Sequence, residues 1–184
     1  MKTFLAILVL IQIACCAPAQ QQGKNSLAGV PPNERLFFGG GGSFGGGADP
    51  YGSRYTYISV SPLMGYRLTV PFSMGASLNY IYYNYPDHNV SLSQYGISPF
   101  AQYRIGKLFA YAEYSWISVP SFDKTFRNTY TRLPIGVGFS QPIGRSASIN
   151  AMALYDVLYA RRNPPVFASP WVIRVFVTAG GISM

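Results

Sequence analysis

Charge is what this sequence has least of. Asp, Glu, Lys and Arg make up 11% of its 184 residues, against about 25% in an ordinary soluble domain. A disordered chain is excluded, because such chains are rich in charge and poor in aromatics, and here aromatics reach 16%. A coiled coil or helix bundle is excluded because Ala, Glu, Lys and Leu do not dominate. The only cysteines are Cys15 and Cys16, and the only histidine is His88. No metal cluster or nucleotide-binding motif can be assembled from this inventory, so no metal and no cofactor is expected. The formal charge of +8 comes from basic residues scattered along the chain, without the stripe that nucleic acid requires. Long apolar runs are also missing after residue 20, which excludes a membrane-spanning helix beyond that point.

The apolar run that is present lies at the start. Lys2 supplies a positive charge, Phe4 to Ile11 are apolar, and Ala17-Pro18-Ala19 fits a small-x-small cleavage site. Residues 1–19 read as a secretory signal peptide, too short to cross a bilayer. Cys15 and Cys16 then leave with it; the rival is lipoprotein processing, with one of them lipidated. Residues 20–34 are polar with a Pro pair and read as a flexible lead-in.

From residue 35 to 184 the period is two. Alternating segments are expected at about 36–47, 55–67, 72–85, 94–105, 108–118, 129–141, 146–159 and 170–179. Each is long enough for a tilted membrane strand, which needs about 9–11 residues. In the fifth, Leu108, Ala110, Ala112, Tyr114 and Trp116 share a face opposite Phe109, Tyr111, Glu113 and Ser115. In the eighth, Trp171, Ile173, Val175 and Val177 oppose Arg174 and Thr178. Such alternation marks strands and not helices. Short connections at 67–71, 105–107 and 141–145 alternate with longer ones at 48–54, 86–93, 120–128 and 160–169. The expected fold is all-β: an eight-stranded, antiparallel, up-and-down transmembrane β-barrel with both termini in the periplasm.

A soluble barrel with its apolar face inward would alternate in the same way. The polar face separates the two, because Gly, Ser, Asn and Gln make a poor solvated surface and a good lumen lining. Aromatics at the segment ends form two expected interface girdles. Tyr82, Tyr95, Trp116, Tyr155, Tyr159 and Trp171 fall near the long loops, and Tyr66, Phe72, Tyr103 and Phe139 near the short turns. Pro62, Pro99 and Pro134 fall inside expected strands and predict bulges there. The Gly runs 39–42 and 45–47 lack the Lys and helix of a phosphate loop. They predict close strand approach in the first strand.

Several stretches resemble small outer-membrane β-barrel proteins of the Bacteroidota: Ile58 to Arg67, Pro99 to Tyr103, Leu133 to Gly144, Tyr155 to Tyr159 and Ser169 to Arg174. The resemblance covers about residues 36–179 and implies a barrel of OmpA/OmpX-type size, with no general activity to carry over. The chain departs from that pattern in ending Thr178-Ala-Gly-Gly-Ile-Ser-Met184 without a terminal aromatic, which moves any assembly signal inward toward Phe176.

A barrel of this size is filled by its own side chains. The expectation is a non-enzymatic, integral outer-membrane protein with a structural or interaction role. Its partners are outer-membrane lipid and other outer-membrane proteins, and no small-molecule substrate is assigned. The alternatives are a lipid-modifying enzyme at the rim, or a narrow channel or ligand-binding barrel. His88 stands beside Asp87, with Ser91 and Ser93 near. Adjacent residues of an extended chain point apart, however, so no catalytic residue is assigned. The lumen is instead expected to hold an ionic cluster. Closing the last three strands about symmetrical loops places Asp156 between Arg132 and Arg174, with Glu113 as a second carboxylate deeper along the fifth strand.

Overall fold

A computed structural model of the chain describes residues 27–48, 52–121, 125–144, 146–159 and 170–180. The expected signal peptide lies outside the described residues. So does the first part of the lead-in. Its remainder is held against the start of the first strand, where Leu27 is buried and the Arg35 guanidinium donates to the carbonyls of Leu27 and Val30. The 3-10 turn Pro32–Arg35 precedes the strands.

The strands are β1 Leu36–Ala48, β2 Arg54–Arg67, β3 Phe72–Tyr85, β4 Val90–Ile105, β5 Leu108–Glu113, β6 Ser115–Pro120, β7 Arg127–Arg132, β8 Pro134–Ile143, β9 Ala147–Asp156 and β10 Trp171–Gly180. Neighbours are antiparallel, and β1 closes on β10, giving an all-β closed barrel of eight staves. β5 and β6 are two lengths of one stave, since both pair with β4. β7 and β8 form the next stave, pairing with β6 and β5 respectively.

Both breaks follow from proline. Pro99 lies across from Tyr114 and has no N–H to return; only Tyr114 N–H to Pro99 C=O remains, at 3.0 Å. Pro134 likewise follows the gap at Leu133. The bulges expected at Pro62, Pro99 and Pro134 are not what forms. The pairing register is the same on either side of each proline, so a ladder bond is lost without an inserted residue.

The expected long connection at 86–93 is also corrected. Tyr85 pairs with Val90, and the chain turns over the 3-10 turn Pro86–His88 and left-handed Asn89, so β4 begins four residues earlier than the alternation suggested. Asn tolerates that conformation better than most residues. The β1–β10 seam needs glycine. A Cβ on Gly39 would lie 2.5 Å from the Val177 carbonyl oxygen, and one on Gly41 2.8 Å from that of Val175.

The alternation sorts the side chains as expected. Phe44, Leu78, Ile97, Val137, Ile173 and Val175 stand exposed on the outward face, with Ile173 at 79% exposure. The core occupies the lumen, where Phe37, Phe100, Phe109, Tyr111, Met152, Leu154 and Phe176 pack together. Phe100 stacks on Tyr111 with centroids 5.3 Å apart, and Phe109 meets the same ring edge-on. Phe176, the nearest aromatic to the chain end considered above, is part of this inward cluster.

Candidate functional site

The lumen carries the chemistry. Many inward positions are small or polar, and the few charged groups among them must find partners there or lose solvation without return. Glu113 ends β5, and its side chain has no exposure. Arg174, on β10, reaches it with both terminal nitrogens, Nη1 to Oε2 and Nη2 to Oε1, each 2.8 Å. That is the two-bond fork a guanidinium makes with a carboxylate. Tyr111 Oη donates to Glu113 Oε2 and Ser115 Oγ to Oε1, both at 3.2 Å.

From Ser115 the bonding continues around the wall. Ser98 Oγ donates to Ser115 Oγ at 2.7 Å, Asn79 Nδ2 to Ser98 Oγ at 2.9 Å, and Ser61 Oγ to Asn79 Oδ1 at 3.1 Å. The network therefore joins β10, β5, β6, β4, β3 and β2 at one level of the barrel. Sequence reading did not find its serine and asparagine members. Their signal, small polar residues at inward parity, is shared by most of the lumen.

Asp156, fully buried at the end of β9, has a different task. Its Oδ2 accepts from Arg132 Nε at 3.0 Å. Its Oδ1 accepts from the backbone N–H groups of Leu133 and Leu158, at 3.0 and 3.1 Å. The first of these N–H groups is the one freed at the break before Pro134. Asp156 thus caps the interrupted stave and holds Arg132 against it.

The expected cluster is corrected in one respect: Arg174 is bound to Glu113 and not to Asp156. The reason is register. A symmetrical β9–β10 loop would have set Asp156 near Arg174, but β10 is shifted, so that Arg174 pairs with Met152 and Asp156 N–H donates to the Pro170 carbonyl at 2.8 Å. The four charged residues form two separate pairs. The aromatic layer lies below the Glu113–Arg174 pair. Above it, toward the long loops, two adjoining cavities of about 280 and 410 Å³ are lined by both arginines with Ser59, Asn79 and Ile81.

The girdle residues face outward and are brought level by pairing. Tyr155 pairs with Trp171, with rings 5.3 Å apart edge-to-face. At the other end Phe72 pairs with Tyr103, and Phe139 and Tyr66 pair with Leu108 and Leu36. Tyr82, Tyr95 and Trp116 are exposed on the outward face, and Tyr159 lies just past β9. A second tyrosine group was not anticipated. Tyr55, Tyr57, Tyr83 and Tyr85 share the inward parity of β2 and β3, with Tyr55 centroids 5.8 Å from Tyr85 and 5.9 Å from Tyr83.

At the long-loop end Asp87 is engaged by Arg54. Its Oδ2 accepts the backbone N–H at 2.9 Å and its Oδ1 accepts Nη2 at 3.0 Å. The Arg54 bonds hold the Asp87 carboxyl below its ordinary pKa. His88 Nε2 lies 2.7 Å from Ser53 Oγ, a residue the sequence reading did not pair with it; Ser91 and Ser93 are on β4. These contacts clasp the β1–β2 loop to the β3–β4 turn. No cluster of His, Cys, Asp and Glu suited to a metal ion occurs among the described residues.

Compared with protein-family models, curated proteins and solved structures, the chain matches none.

Proposed function

We propose that this chain is an integral outer-membrane β-barrel, with both termini in the periplasm, that presents its loops outside and anchors or accompanies a larger outer-membrane assembly. The observation that carries the reading is the outward face. Around a closed barrel it is covered by exposed Phe, Ile, Leu, Val, Met and aromatic side chains, while Glu113, Asp156, Arg132 and Arg174 are turned inward. Monomeric soluble proteins rarely expose apolar patches beyond a few hundred Å². A bilayer removes that cost, and a closed barrel leaves no unpaired edge within it. The resemblance of the sequence to small outer-membrane barrels of the Bacteroidota points to the same reading.

A structural role is supported by the lumen. The packed layer of Phe37, Phe100, Phe109, Tyr111 and Phe176 lies across the path between the two ends. The test has two parts. Unheated protein should migrate differently from boiled protein on a detergent gel and fractionate with the outer membrane; recovery in the soluble periplasm would end the reading. In planar bilayers the folded protein should show no steady conductance, and discrete channel steps would replace the structural role with a pore.

A ligand-binding barrel is the second reading, supported by the cavity of about 410 Å³ in the long-loop half. That volume lies within the range of small-molecule sites, about 300–1,000 Å³. Saturable binding of a small molecule that is lost in Ser59→Trp would favour it.

A further inference from the structure

Arg132 and Arg174 are turned inward onto carboxylates, and Arg54 is held by Asp87. Arg127, the first residue of β7, is placed differently. It shares the face of Thr129, since residues two apart on a strand point the same way. Thr129 pairs with Ser118, and Ser118 with Tyr95, which is exposed on the outward face. Arg127 therefore stands outside the barrel, at the long-loop rim, and no Asp or Glu pairs with it among the described residues. Its guanidinium carbon lies 4.2 Å from the centre of the Tyr95 ring, within reach of cation–π attraction. Nε donates to Ser118 Oγ at 2.9 Å, and Nη2 donates to the carbonyls of Ser93 and Ser118 at 2.8 and 2.9 Å. Those bonds fix the plane of the group. Nη1, which carries two of the five N–H donors, has no partner among the described residues.

A groove lies next to this cation, on the side toward the middle of the barrel. Tyr80, Tyr95, Ser118 and Thr129 form one row across β3, β4, β6 and β7, and Leu78, Ile97 and Trp116 form the row one step deeper. Together they line an outward groove of about 510 Å³. The small Ser118 and Thr129 leave it open between the larger side chains. From rim to middle the order is cation, aromatic ring, apolar channel. A phosphate-bearing lipid has the matching order, anion first and acyl chain below. We propose that Arg127 and this groove bind such a lipid in the leaflet at the long-loop end, with its phosphate on the guanidinium and an acyl chain along Tyr95, Ile97, Leu78 and Trp116.

Charge and shape both select this occupant. The planar fork of arginine matches phosphate oxygens, and Nη1 is left to supply the donors. Attraction between opposite charges strengthens as the surroundings become less polar, as they do toward the bilayer interior. Tyr95 and Trp116 stand where amphipathic rings meet the headgroup level. The groove has no charged lining residue, which suits a hydrocarbon chain. A peptide adding itself as a strand would need a free edge, and the strands under the groove are paired with their neighbours. The inference rests on the outer-membrane reading above, because a bilayer is what brings such a lipid to the outward face.

The test uses Trp116, which lines the groove and is one of two tryptophans in the chain. Trp171→Phe leaves it as the reporter. The protein is reconstituted in phosphatidylcholine vesicles containing a small fraction of lipid brominated on its acyl chains, which quenches indole fluorescence on contact. Brominated phosphatidate should reach half-quenching at about one fifth of the mole fraction that brominated phosphatidylcholine needs, the factor one arginine contributes near anionic lipid. Arg127→Gln in the same background should bring the two lipids level. Phenylglyoxal modification of the unaltered protein, mapped by mass spectrometry, reports even where a variant fails to fold: phosphatidate should slow modification of Arg127 relative to phosphatidylcholine alone. Equal quenching by both lipids with Arg127 in place, or modification of Arg127 at an unchanged rate, would overturn the site while leaving the barrel in the membrane. Quenching by neither lipid would overturn the membrane reading and the site with it. A preference for phosphatidate that persists in Arg127→Gln would assign it to the net charge of +8 and overturn the site as well.

Discussion

Replacing Glu113 by alanine should be among the most costly single changes in the barrel. The carboxylate is fully buried and accepts four hydrogen bonds, two of them from Arg174 at 2.8 Å. Bonds to charged groups contribute about 1.5–3 kcal/mol each in mutational series. Breaking a buried pair by removing one partner costs about 3–5 kcal/mol, because the other charge is stranded. The Arg174 side chain keeps 27% exposure toward the upper cavity. Water can reach part of the stranded guanidinium, so the expected cost is at the lower end, about 3 kcal/mol.

The reasoning is distinguished from simple loss of packing by the partner change. Glu113→Met with Arg174→Met removes both charges and fills similar volume, and should cost less than Glu113→Ala alone, by about 1–2 kcal/mol. The assay is urea-induced unfolding in detergent or liposomes, followed by the fluorescence of Trp116 and Trp171 and checked by heat-modifiable gel mobility. A cost under about 1 kcal/mol for Glu113→Ala, or a double variant as unstable as the two single variants added together, would refute a buried, mutually dependent pair.

Other expectations follow from the same geometry. Ile173→Arg, on the outward face, should cost about 2–4 kcal/mol in a bilayer, while Ser59→Arg, facing the upper cavity, should cost far less; equal penalties in liposome unfolding would show that the outward face does not meet lipid. Gly39→Val should prevent barrel closure, because its Cβ alone would sit 2.5 Å from the Val177 carbonyl oxygen; a variant with unaltered heat-modifiable mobility would contradict the tight seam. The Asp87–Arg54 clasp should be acid-sensitive. Because the folded carboxyl titrates below its ordinary value, the clasp's contribution is complete above that value and is lost as pH falls through the lowered one. Limited acid proteolysis should therefore cut the adjacent loops more readily as pH drops, and Asp87→Asn should make the cutting independent of pH in that range; unaltered pH dependence in that variant would remove Asp87 from the explanation.

What the sequence by itself determined was parity. Side chains on a strand alternate with a period of two, so a run such as Leu108 to Trp116 declares its faces without any knowledge of its neighbours. For that reason Glu113, Asp156, Arg132 and Arg174 could be placed in the lumen, Ile173 and Val175 outside it, and Arg132 beside Asp156 across a tight turn. What only the tertiary structure decided was register and its consequences. A long loop need not be symmetrical, and the shift in β10 took Arg174 from Asp156 to Glu113 on a stave distant in sequence. Proline effects were equally non-local: Pro99 and Pro134 broke their neighbours' ladders without bulging their own strands, and the freed Leu133 N–H gave Asp156 its second role. Arg67 and Arg104 lie far apart in the chain and line one pocket only because antiparallel staves return every short turn to the same rim. Parity is a property of one strand, whereas register and convergence belong to the closed sheet.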